Sequence, residues 1–568
     1  SFADMSAYYA SFAHIMTNSV VRFTSTSFSN GSSATDGGAI FISDSTFSCE
    51  ACSASNILTK GNGGFAYMVG LSTVTLKNSK LSNLTAHGGG SIIYAAAGTL
   101  AISGSEFSSF NNTGIQMLIG LSLTVSDSSF KLGYSTYGGS VSCTTCGQAS
   151  ISKSVFSDNV STSKGSAVYF YDSLKTSTFS IKGCTFFNNT APEGGAVFAD
   201  SINLALSENV FLNNTAYETN GGGLVLRCSM YKDCNYTLSS NNFTGNTAKV
   251  NGGALDWSDN SPTTTGNVYS ENYAQYGGNV ASLPSTLLSV NAAGQANQRK
   301  LIEYYAVASG QSLREPIQIA MADEYGQVIS TDNSSLGEIL PNNTAAVTLT
   351  GTTKVTAVKG VFTFDDFIIS STPGTAVGLY VYTSAIDESA AKERGQSGYS
   401  SSIEVIMNLR QCESGEALVN KDCQLCVEGK YSLTPSQSCS DCPSEATCYG
   451  NMTMVPKKGY WRSNIYTDVF FECPNPAACI GSSADKFSLT GNCEDGYRGN
   501  MCQACDNGYS RTSENQCGAC PNKAINALRL VGIAIVVIMV CIIMVRSTLK
   551  TAYEPKKLHS IYIKIFMN

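Results

Sequence analysis

A glycine-rich motif recurs along the first half of the chain at nearly constant spacing, and this repeat constrains the fold more than any other feature. Each copy joins two small residues to an aliphatic or aromatic residue, and neighbouring copies are 25 to 31 residues apart. The copies read GGAI at 37, GGF at 63, GGGSI at 88, TGIQM at 113, GGSV at 138, GSAV at 165, GGAV at 194, GGGL at 221, GGAL at 252 and GGNV at 277.

A second motif, an aromatic residue three positions before an asparagine, lies between the glycine pairs. Its copies are Phe156/Asn159, Phe186/Asn189, Phe211/Asn214, Phe243/Asn246 and Tyr269/Asn272. Stretches such as TVTLKNS from Thr73 alternate apolar and polar residues, which indicates strands. A period near 25 without a helical pattern favours a right-handed parallel β-helix, because propeller blades need about 40 residues each.

The repeat predicts which side chains fill the interior of the β-helix. We expect the phenylalanines to form one inward ladder and the asparagines to bond from coil to coil at tight corners. The aliphatic residue of each glycine motif would form a second ladder, comprising Ile40, Ile92, Val141, Val168, Val197, Leu255 and Val280.

The two motifs in phase resemble the polymorphic outer membrane protein repeat, best known from bacterial autotransporter adhesins with a β-helical passenger. The resemblance covers about 270 residues of 568. The C-terminal part departs from those adhesins because it has no β-barrel pattern. With its cysteine-rich and membrane segments, the chain resembles large protist cell-surface proteins that carry this repeat. The resemblance implies surface adhesion or recognition and assigns no residue a role.

Residues 285–410 contain no cysteine and consist of apolar runs bounded by turns. About seven short strands in this length predict an immunoglobulin-like β-sandwich. The segments GVFTFDDFIIS and PGTAVGLYV resemble the Ig-like repeats of surface adhesins and filamins. We therefore expect a β-helix over 1–284 and a sandwich over 285–410.

A cysteine-rich segment over 411–523 follows the predicted sandwich. Its CxxC pairs are typical of zinc sites in the cytosol, but in an oxidising compartment the same pattern predicts disulfides. The stretch CEDGYRGNMCQACDNGY resembles EGF-like modules, which implies a rigid stalk. The predicted disulfide cysteines, with an open connectivity, are Cys49, Cys52, Cys143, Cys146, Cys228, Cys234, Cys412, Cys423, Cys426, Cys439, Cys442, Cys448, Cys473, Cys479, Cys493, Cys502, Cys505, Cys517 and Cys520; the status of Cys184 stays open.

One apolar segment is long enough to cross a membrane. It reads LVGIAIVVIMVCIIMV from Leu530, and we expect a transmembrane helix over 524–545. Basic residues dominate 546–568, so the positive-inside rule predicts a cytosolic C-terminus and an extracellular N-terminal part. The apolar stretch IYIKIFM near the end indicates further spans beyond residue 568.

Glycosylation sequons support the extracellular orientation, because all of them precede the apolar segment. They lie at Asn30, Asn83, Asn111, Asn159, Asn188, Asn213, Asn235, Asn242, Asn333, Asn342 and Asn451. Five share a position in the repeat and would line one edge of the β-helix: Asn30, Asn83, Asn159, Asn188 and Asn213.

Composition and residue pattern argue against catalysis and nucleic-acid binding. The net charge is −7 and only 14% of residues are charged, so the chain is not a basic nucleic-acid-binding protein. β-Helices also occur in pectin-degrading enzymes, and Asp44, Asp172, Asp200 and Asp259 recur at similar positions in their repeats. A carboxylate row for calcium or sugar is one interpretation, and Asx turns at strand ends are the favoured one.

These observations predict a non-enzymatic glycoprotein of a eukaryotic surface membrane, with no cofactor and no metal. Its β-helical rod would serve adhesion, recognition or lateral assembly with other extracellular proteins or with itself. The alternatives are the ectodomain of a multi-pass receptor or sensor and a pectin-lyase-like carbohydrate-active enzyme. Downstream membrane spans would favour the receptor, and polysaccharide cleavage would favour the enzyme.

Overall fold

The computed structural model describes residues 1–136, 138–171, 178–230, 233–291, 295–297 and 301–551. Backbone contacts divide the chain into two compact units. The first comprises Ser1–Val307 and Ser312–Arg410, and the second comprises Ala308–Gln311 and the chain from Gln411 onward. Two parallel sheets of 19 and 18 strands make up the repeat region, which is therefore a β-helix.

Each coil of the β-helix contributes up to four short strands, which we name A to D in chain order. The A strands follow the glycine motif and the B strands follow the A strands within the 19-stranded sheet; the C and D strands form the other sheet. Every pairing between coils is parallel, as in Ile40 of one A strand beside Ala66 of the next. Stacked coils therefore satisfy the backbone hydrogen bonds that single coils leave open.

The strands of the 19-stranded sheet are as follows. The A strands are Ala13–Met16, Ile40–Ser43, Ala66–Val69, Val141–Thr144, Val168–Tyr171, Val197–Asp200, Leu224–Arg227, Leu255–Trp257 and Val280–Ala281. The B strands are Val20–Thr24, Thr46–Glu50, Thr73–Lys77, Gln148–Ser152, Thr178–Lys182, Asn203–Ser207, Tyr236–Ser239 and Thr263–Thr265. Ile93–Ser103 and Ile115–Ser126 are continuous A and B strands.

The 18-stranded sheet contains the C and D strands. The C strands are Phe2–Ala3, Ser27–Ser29, Ser129–Lys131, Val155–Ser157, Thr185–Phe187, Val210–Leu212, Asn242–Thr244 and Val268–Ser270. The D strands are Ser6–Ala7, Ser32–Ser33, Tyr134–Ser135, Val160–Ser161, Thr190–Ala191, Thr215–Ala216 and Thr247–Ala248. Ser53–Thr59, Lys80–Ala86 and Glu106–Asn111 are continuous C and D strands.

The glycine pair is required where one coil passes over the next. Gly37 has a φ of 71°, which side chains with a Cβ rarely adopt. A Cβ added to Gly38 would lie 2.0 Å from the carbonyl oxygen of Gly64 in the next coil. The motif therefore marks both a left-handed corner and a close contact between backbones.

The aliphatic ladder is present, with one correction of register. Ala66 pairs with Ile93 rather than Ile92, and the ladder continues through Ile115 to Val141. The motif GGGSI has three glycines, and the positive φ of 61° falls on the third, Gly90. The inward aliphatic residue is therefore one position later than predicted. Ile92 is buried as well, at the position that Ala39 occupies two coils earlier.

The aromatic ladder runs through the interior from Phe107 to Tyr269. Six successive ring pairs stack with centroid distances of 4.5 to 5.2 Å. The rings between the two ends, from Phe130 to Phe243, are fully buried. These contacts and the aliphatic ladder join the coils into one continuous hydrophobic core.

Residues 284–409 form a β-sandwich with largely antiparallel sheets. One sheet has the order Ala296–Asn297, Pro284–Val290, Ile317–Asp323, Val361–Phe364; the other has the order Leu301–Val307, Ser402–Leu409, Ala376–Thr383, Leu336–Pro341, Lys354–Thr356. Thr348–Gly351 pairs with Phe367–Ser370, and Glu388–Glu393 is a helix. Both sheets contribute to one core.

The sandwich covers the C-terminal end of the β-helix. Tyr276 and Ala281 of the last coil belong to the sandwich core. The Tyr276 hydroxyl donates to Asp323 Oδ2 at 2.6 Å, and Trp257 Nε1 donates to the Tyr325 hydroxyl at 3.0 Å. These contacts close the solenoid core at this end.

The cysteine-rich unit consists of two-stranded sheets connected by disulfides. Its strands are Glu416–Val419, Asp422–Leu425, Lys430–Tyr431, Ser440–Asp441, Ala446–Cys448, Met454–Pro456, Tyr460–Arg462, Phe470–Glu472, Cys479–Gly481, Asn492–Cys493, Tyr497–Arg498, Ala504–Cys505, Tyr509–Ser513 and Gln516–Ala519, with a 3₁₀-helix at Asn500–Cys502. The disulfides are Cys412–Cys423, Cys426–Cys439, Cys442–Cys448, Cys473–Cys479, Cys493–Cys502 and Cys505–Cys517.

Cys520 is an exception among the predicted disulfide cysteines. It is exposed and has no disulfide partner in the described part of the chain, because its neighbour Cys517 pairs with Cys505. Thirteen cysteines in this segment leave one unpaired, and the six cysteines of the three β-helix disulfides are already paired with one another.

The chain ends, as far as it is described, in one long apolar helix, Lys523–Thr551. An 18-residue window within Lys523–Lys550 has a mean hydropathy of 3.0 and is not covered by other parts of the protein. This helix is long and apolar enough to span a membrane. Residues 552–568, which carry most of the predicted cytosolic tail, lie outside the described residues.

Candidate interaction surface

Aromatic side chains form a strip on the outer side of the A strands in the first coils. Strand alternation turns Ile40 and Ile42 inward and Phe41 outward, and the same position holds His14, Tyr67 and Tyr94 in the other coils. Successive ring centroids lie 4.6, 5.4 and 5.4 Å apart. Parallel register thus aligns rings from four coils in one row.

Two further tyrosines extend this row at its N-terminal end. Tyr9 lies 6.3 Å from Phe41 and 6.4 Å from His14, and Tyr8 contacts Tyr9 at 4.9 Å. Tyr8 and Tyr9 are 67% and 49% exposed. We call these residues the aromatic strip: Tyr8, Tyr9, His14, Phe41, Tyr67 and Tyr94.

The phenols of Tyr67 and Tyr94 are neutral hydrogen-bond donors. Burial raises the pKa of Tyr67 and of Tyr94, and the nearby Asp36 carboxylate raises both further. Asp36 itself is held in place, because its Oδ1 accepts from the backbone N–H and the side-chain amide of Asn62 at 2.7 and 3.0 Å. Rings with polar tips are the side chains that protein interfaces favour.

The predicted glycosylation sites lie away from the aromatic strip. Ten of the eleven sequon asparagines are exposed. Four occupy the bend between C and D strands with a φ of 52° to 54°: Asn30, Asn83, Asn188 and Asn213. Asn111 and Asn242 also lie in the 18-stranded sheet, and Asn235 precedes a B strand. The A strands carry no sequon in the described chain.

Asn159 does not lie on the exposed edge that was predicted for the glycosylation sites. It is fully buried, and its Nδ2 donates to Phe130 O at 3.1 Å and to Asn189 Oδ1 at 2.9 Å. The exposed position of this coil is instead Asp158, whose carboxylate accepts from Asn188 Nδ2 at 2.7 Å. The burial of Asn159 opposes the predicted glycan, because its amide nitrogen is committed inside the core of the folded protein.

Asn159 begins a ladder of asparagines inside the β-helix. Each Nδ2 donates to the Oδ1 of the next coil at 2.9 to 3.0 Å, through Asn189, Asn214, Asn246 and Asn272. The same Oδ1 atoms accept from backbone N–H groups one coil earlier. A second ladder passes from Cys184 N–H through Asn209 and Asn241 to Asn267.

The aspartates considered as a carboxylate row do not form a common site. Asp44 has a φ of 46°, and its Oδ1 accepts from Leu71 N of the next coil at 3.0 Å. Asp200 accepts from Ser229 N at 3.0 Å, and Asp259 accepts from the Ser258 hydroxyl at 2.7 Å. Six coils separate Asp44 from Asp200, or about 29 Å. Asp172 lies outside the described residues.

A buried ion network lies across three coils, and neither repeat motif indicated it. Arg227 Nη2 pairs with Glu193 at 3.1 Å and also contacts Asp256. Burial lowers the pKa of Arg227, but the two carboxylates outweigh it and raise the pKa overall. Burial raises the pKa of Asp256 to about 6, against the opposing effect of Arg227. Every charge here has a partner, so the network exposes no reactive group.

The cysteines of the β-helix are structural. The disulfides Cys49–Cys52 and Cys143–Cys146 each close one corner within a coil, and Cys228–Cys234 closes a longer loop. Cys184 is unpaired, and burial raises the pKa of its thiol to about 11. In the described chain one cluster has the geometry of a metal site, Cys412 with Glu416 and Cys423, but the two cysteines form a disulfide with each other.

Comparison with known families supports the fold. A family model described as a right handed beta helix region matches residues 63–231. No curated protein and no solved structure matches the chain. The chain thus contains a right-handed parallel β-helix, a fold that occurs in enzymes and in non-enzymes, and nothing in the described residues positively shows catalysis. The apolar helix and the disulfides fit a membrane-anchored surface protein.

Proposed function

We propose that this chain is the membrane-anchored ectodomain of a surface glycoprotein, and that its β-helix binds another extracellular protein through the aromatic strip. The observation that carries this proposal is the position of the strip. Exposed and half-buried rings occupy the A strands, which carry no sequon in the described chain, whereas glycans would cover the bend between C and D strands. Clustered aromatic side chains at a surface are typical of interaction sites.

The supporting scaffold fits such a role. The interior ladders fix the spacing of the coils, so the strip is preorganised and loses little entropy on binding. The sandwich closes one end of the β-helix, and the disulfides of the second unit suit an extracellular compartment. We also propose the polymorphic outer membrane protein-type repeat as its class, on the strength of the two repeat motifs.

Photo-cross-linking in native membranes tests the proposal. A photoreactive phenylalanine replaces Tyr67 in the strip or, as a matched control, Tyr134, which is 45% exposed on a D strand. We expect adducts with a fixed set of proteins at position 67 and none of these at position 134. Equal labelling at both positions, or none at either, would overturn the proposal.

Loss of binding in strip variants provides an independent measurement. Phe41→Ser with Tyr94→Ser should weaken capture of the cross-linked partner at least tenfold, because interface aromatics contribute about 2 kcal/mol or more each. Cleavage of a polysaccharide by the intact chain would instead favour the carbohydrate-active enzyme. The multi-pass receptor remains an alternative that the sequence of 561–567 suggests, in residues outside the described part.

A further inference from the structure

A second regular surface lies on the outer side of the B strands, separate from the aromatic strip. In each of seven consecutive coils, the B strand has two outward-facing residues that lie two positions apart. These residues have small polar or methyl-bearing side chains. We call this surface the hydroxyl face: Thr46/Ser48, Thr73/Thr75, Thr99/Ala101, Ser122/Thr124, Gln148/Ser150, Thr178/Ser180 and Asn203/Ala205. All fourteen side chains are exposed or half-buried.

The hydroxyl face is a two-dimensional array. The B strands pair residue for residue, so that Thr46, Thr73 and Thr99 stand in one row and Ser48, Thr75 and Ala101 in the next. Hydroxyls bond along the rows, with Ser180 Oγ donating to Ser150 Oγ at 3.1 Å. Rows and columns repeat at about 4.8 Å between strands and about 6.6 Å along a strand, over a length of about 29 Å.

The chemistry of the hydroxyl face limits its partner. The fourteen side chains of the array include no charged and no aromatic residue, and the charged Glu50, Lys77 and Lys182 occupy the next outward position of the same strands. Protein interfaces are enriched in aromatic residues, methionine and arginine and depleted in serine, so a protein partner does not fit. Sugar rings are held by flat aromatic faces, which the array also lacks. A sequon, Asn235, appears only in the next coil, at the edge of the array.

We propose that the hydroxyl face adsorbs to ice. Hexagonal ice presents water oxygens at a repeat along its a axis close to the spacing between neighbouring β-strands. Hydroxyls at this spacing can hold water in lattice positions, and the threonine methyl groups restrict the orientations of adjacent water. The interior ladders keep the array rigid, so adsorption requires little ordering of the protein.

Partition into growing ice tests this inference with the full chain in lipid nanodiscs. A slowly grown ice hemisphere should incorporate the protein, whereas empty nanodiscs should stay in the liquid. Thr75→Lys with Thr124→Lys places two charges in the middle of the array and should lower incorporation at least tenfold. The matched control, Ser82→Lys with Ser108→Lys, changes half-buried serines of the opposite sheet and should leave incorporation unchanged.

Two further measurements distinguish the loss of ice adsorption from unfolding of the variants. Far-ultraviolet circular dichroism and ice-crystal shape are recorded for each variant, and the milder Thr75→Ser with Thr124→Ser replaces the lysine pair if that pair unfolds. Exclusion of the wild-type chain from ice would overturn the inference. Equal loss in both lysine pairs would do the same, as would binding to crystalline chitin or cellulose without incorporation into ice.

Discussion

The β-helix and the cysteine-rich unit are both built from short strands, but different forces hold them. In the β-helix, hydrophobic side chains from every coil form one buried cluster, and its disulfides only close individual corners. The cysteine-rich unit has two small clusters of buried residues, around Cys479 and around Met454. Its strands pair only two at a time, so covalent links replace the core.

This difference shows what repetition contributes. A coil of about 25 residues could not bury a core alone, yet stacking gives each coil two neighbours that cover it. The cysteine-rich unit has no such neighbours for its hairpins. Disulfides that reduce the entropy of its unfolded chain are the available alternative.

Reduction of the disulfides should produce the largest difference between the two regions. We expect the cysteine-rich unit to lose its protection against hydrogen exchange completely, because each of its disulfides contributes about 2–5 kcal/mol. The β-helix should keep its protection, since the ladders do not depend on the thiol state. Mass spectrometry of exchanged peptides under a reductant measures both. Equal loss in both regions would show that the corner disulfides are essential to the coils.

Removal of one interior ring should destabilise the β-helix strongly. Phe211 stacks on Phe186 at 4.7 Å and on Phe243 at 4.5 Å. Phe211→Ala should lower the free energy of unfolding of these coils by about 3–5 kcal/mol, because the cavity cannot close against rigid neighbours. The control Phe187→Ala alters a ring that is 38% exposed and should cost less than about 1 kcal/mol. Denaturant-dependent hydrogen exchange distinguishes them.

Removal of one ladder asparagine should have a smaller effect of the same kind. Asn214 accepts from Asn189 and donates to Asn246 and to the backbone of Phe186. Asn214→Ala leaves several buried groups unpaired and should cost about 2–4 kcal/mol. The neighbouring Asn213→Gly serves as control, because Gly245 occupies that left-handed position in the next coil. A smaller loss for Asn214→Ala than for Asn213→Gly would contradict the ladder.

Glycan occupancy should follow burial rather than the sequon alone. In the mature protein we expect Asn188 to carry a glycan and Asn159 to carry none, because a glycosylated Asn159 could not enter the core. Peptide mass spectrometry of protein from native membranes measures both sites. A substantial glycosylated fraction at Asn159 in folded protein would show that this coil opens.

The strands, their inward-facing residues and the aliphatic and aromatic ladders could be predicted because the same two motifs recur in successive coils. The sequence is ambiguous where two patterns overlap. The sequence does not show which of the three successive glycines lies at the corner, so the motif predicts Ile92 in the ladder, whereas the positive φ of Gly90 places Ile93 there. Asn159 fits both a sequon and the ladder motif. The ion network of Arg227 depends on pairing between coils, which no local spacing reveals. Disulfide connectivity likewise depends on three-dimensional proximity, as in Cys423 pairing with Cys412 rather than Cys426.

The smallest expected effect is a pH dependence confined to the β-helix. Burial raises the pKa of Asp256 from 3.8 to about 6 in the folded state. A raised folded-state pKa means that the folded protein binds the proton more tightly than the unfolded chain does. The resulting stabilisation is fully present below the unfolded pKa and is lost as the pH rises through the folded pKa.

Lowering the pH from 7 to 5 should therefore stabilise these coils by about 1 kcal/mol. Asp256→Asn should remove this dependence, because the amide remains neutral over the whole range. Hydrogen exchange of peptides around Arg227, corrected for the intrinsic effect of pH, is the measurement. The cysteine-rich unit provides the internal reference, and an equal change there would show that a global effect, rather than the Asp256 carboxyl group, causes the pH dependence.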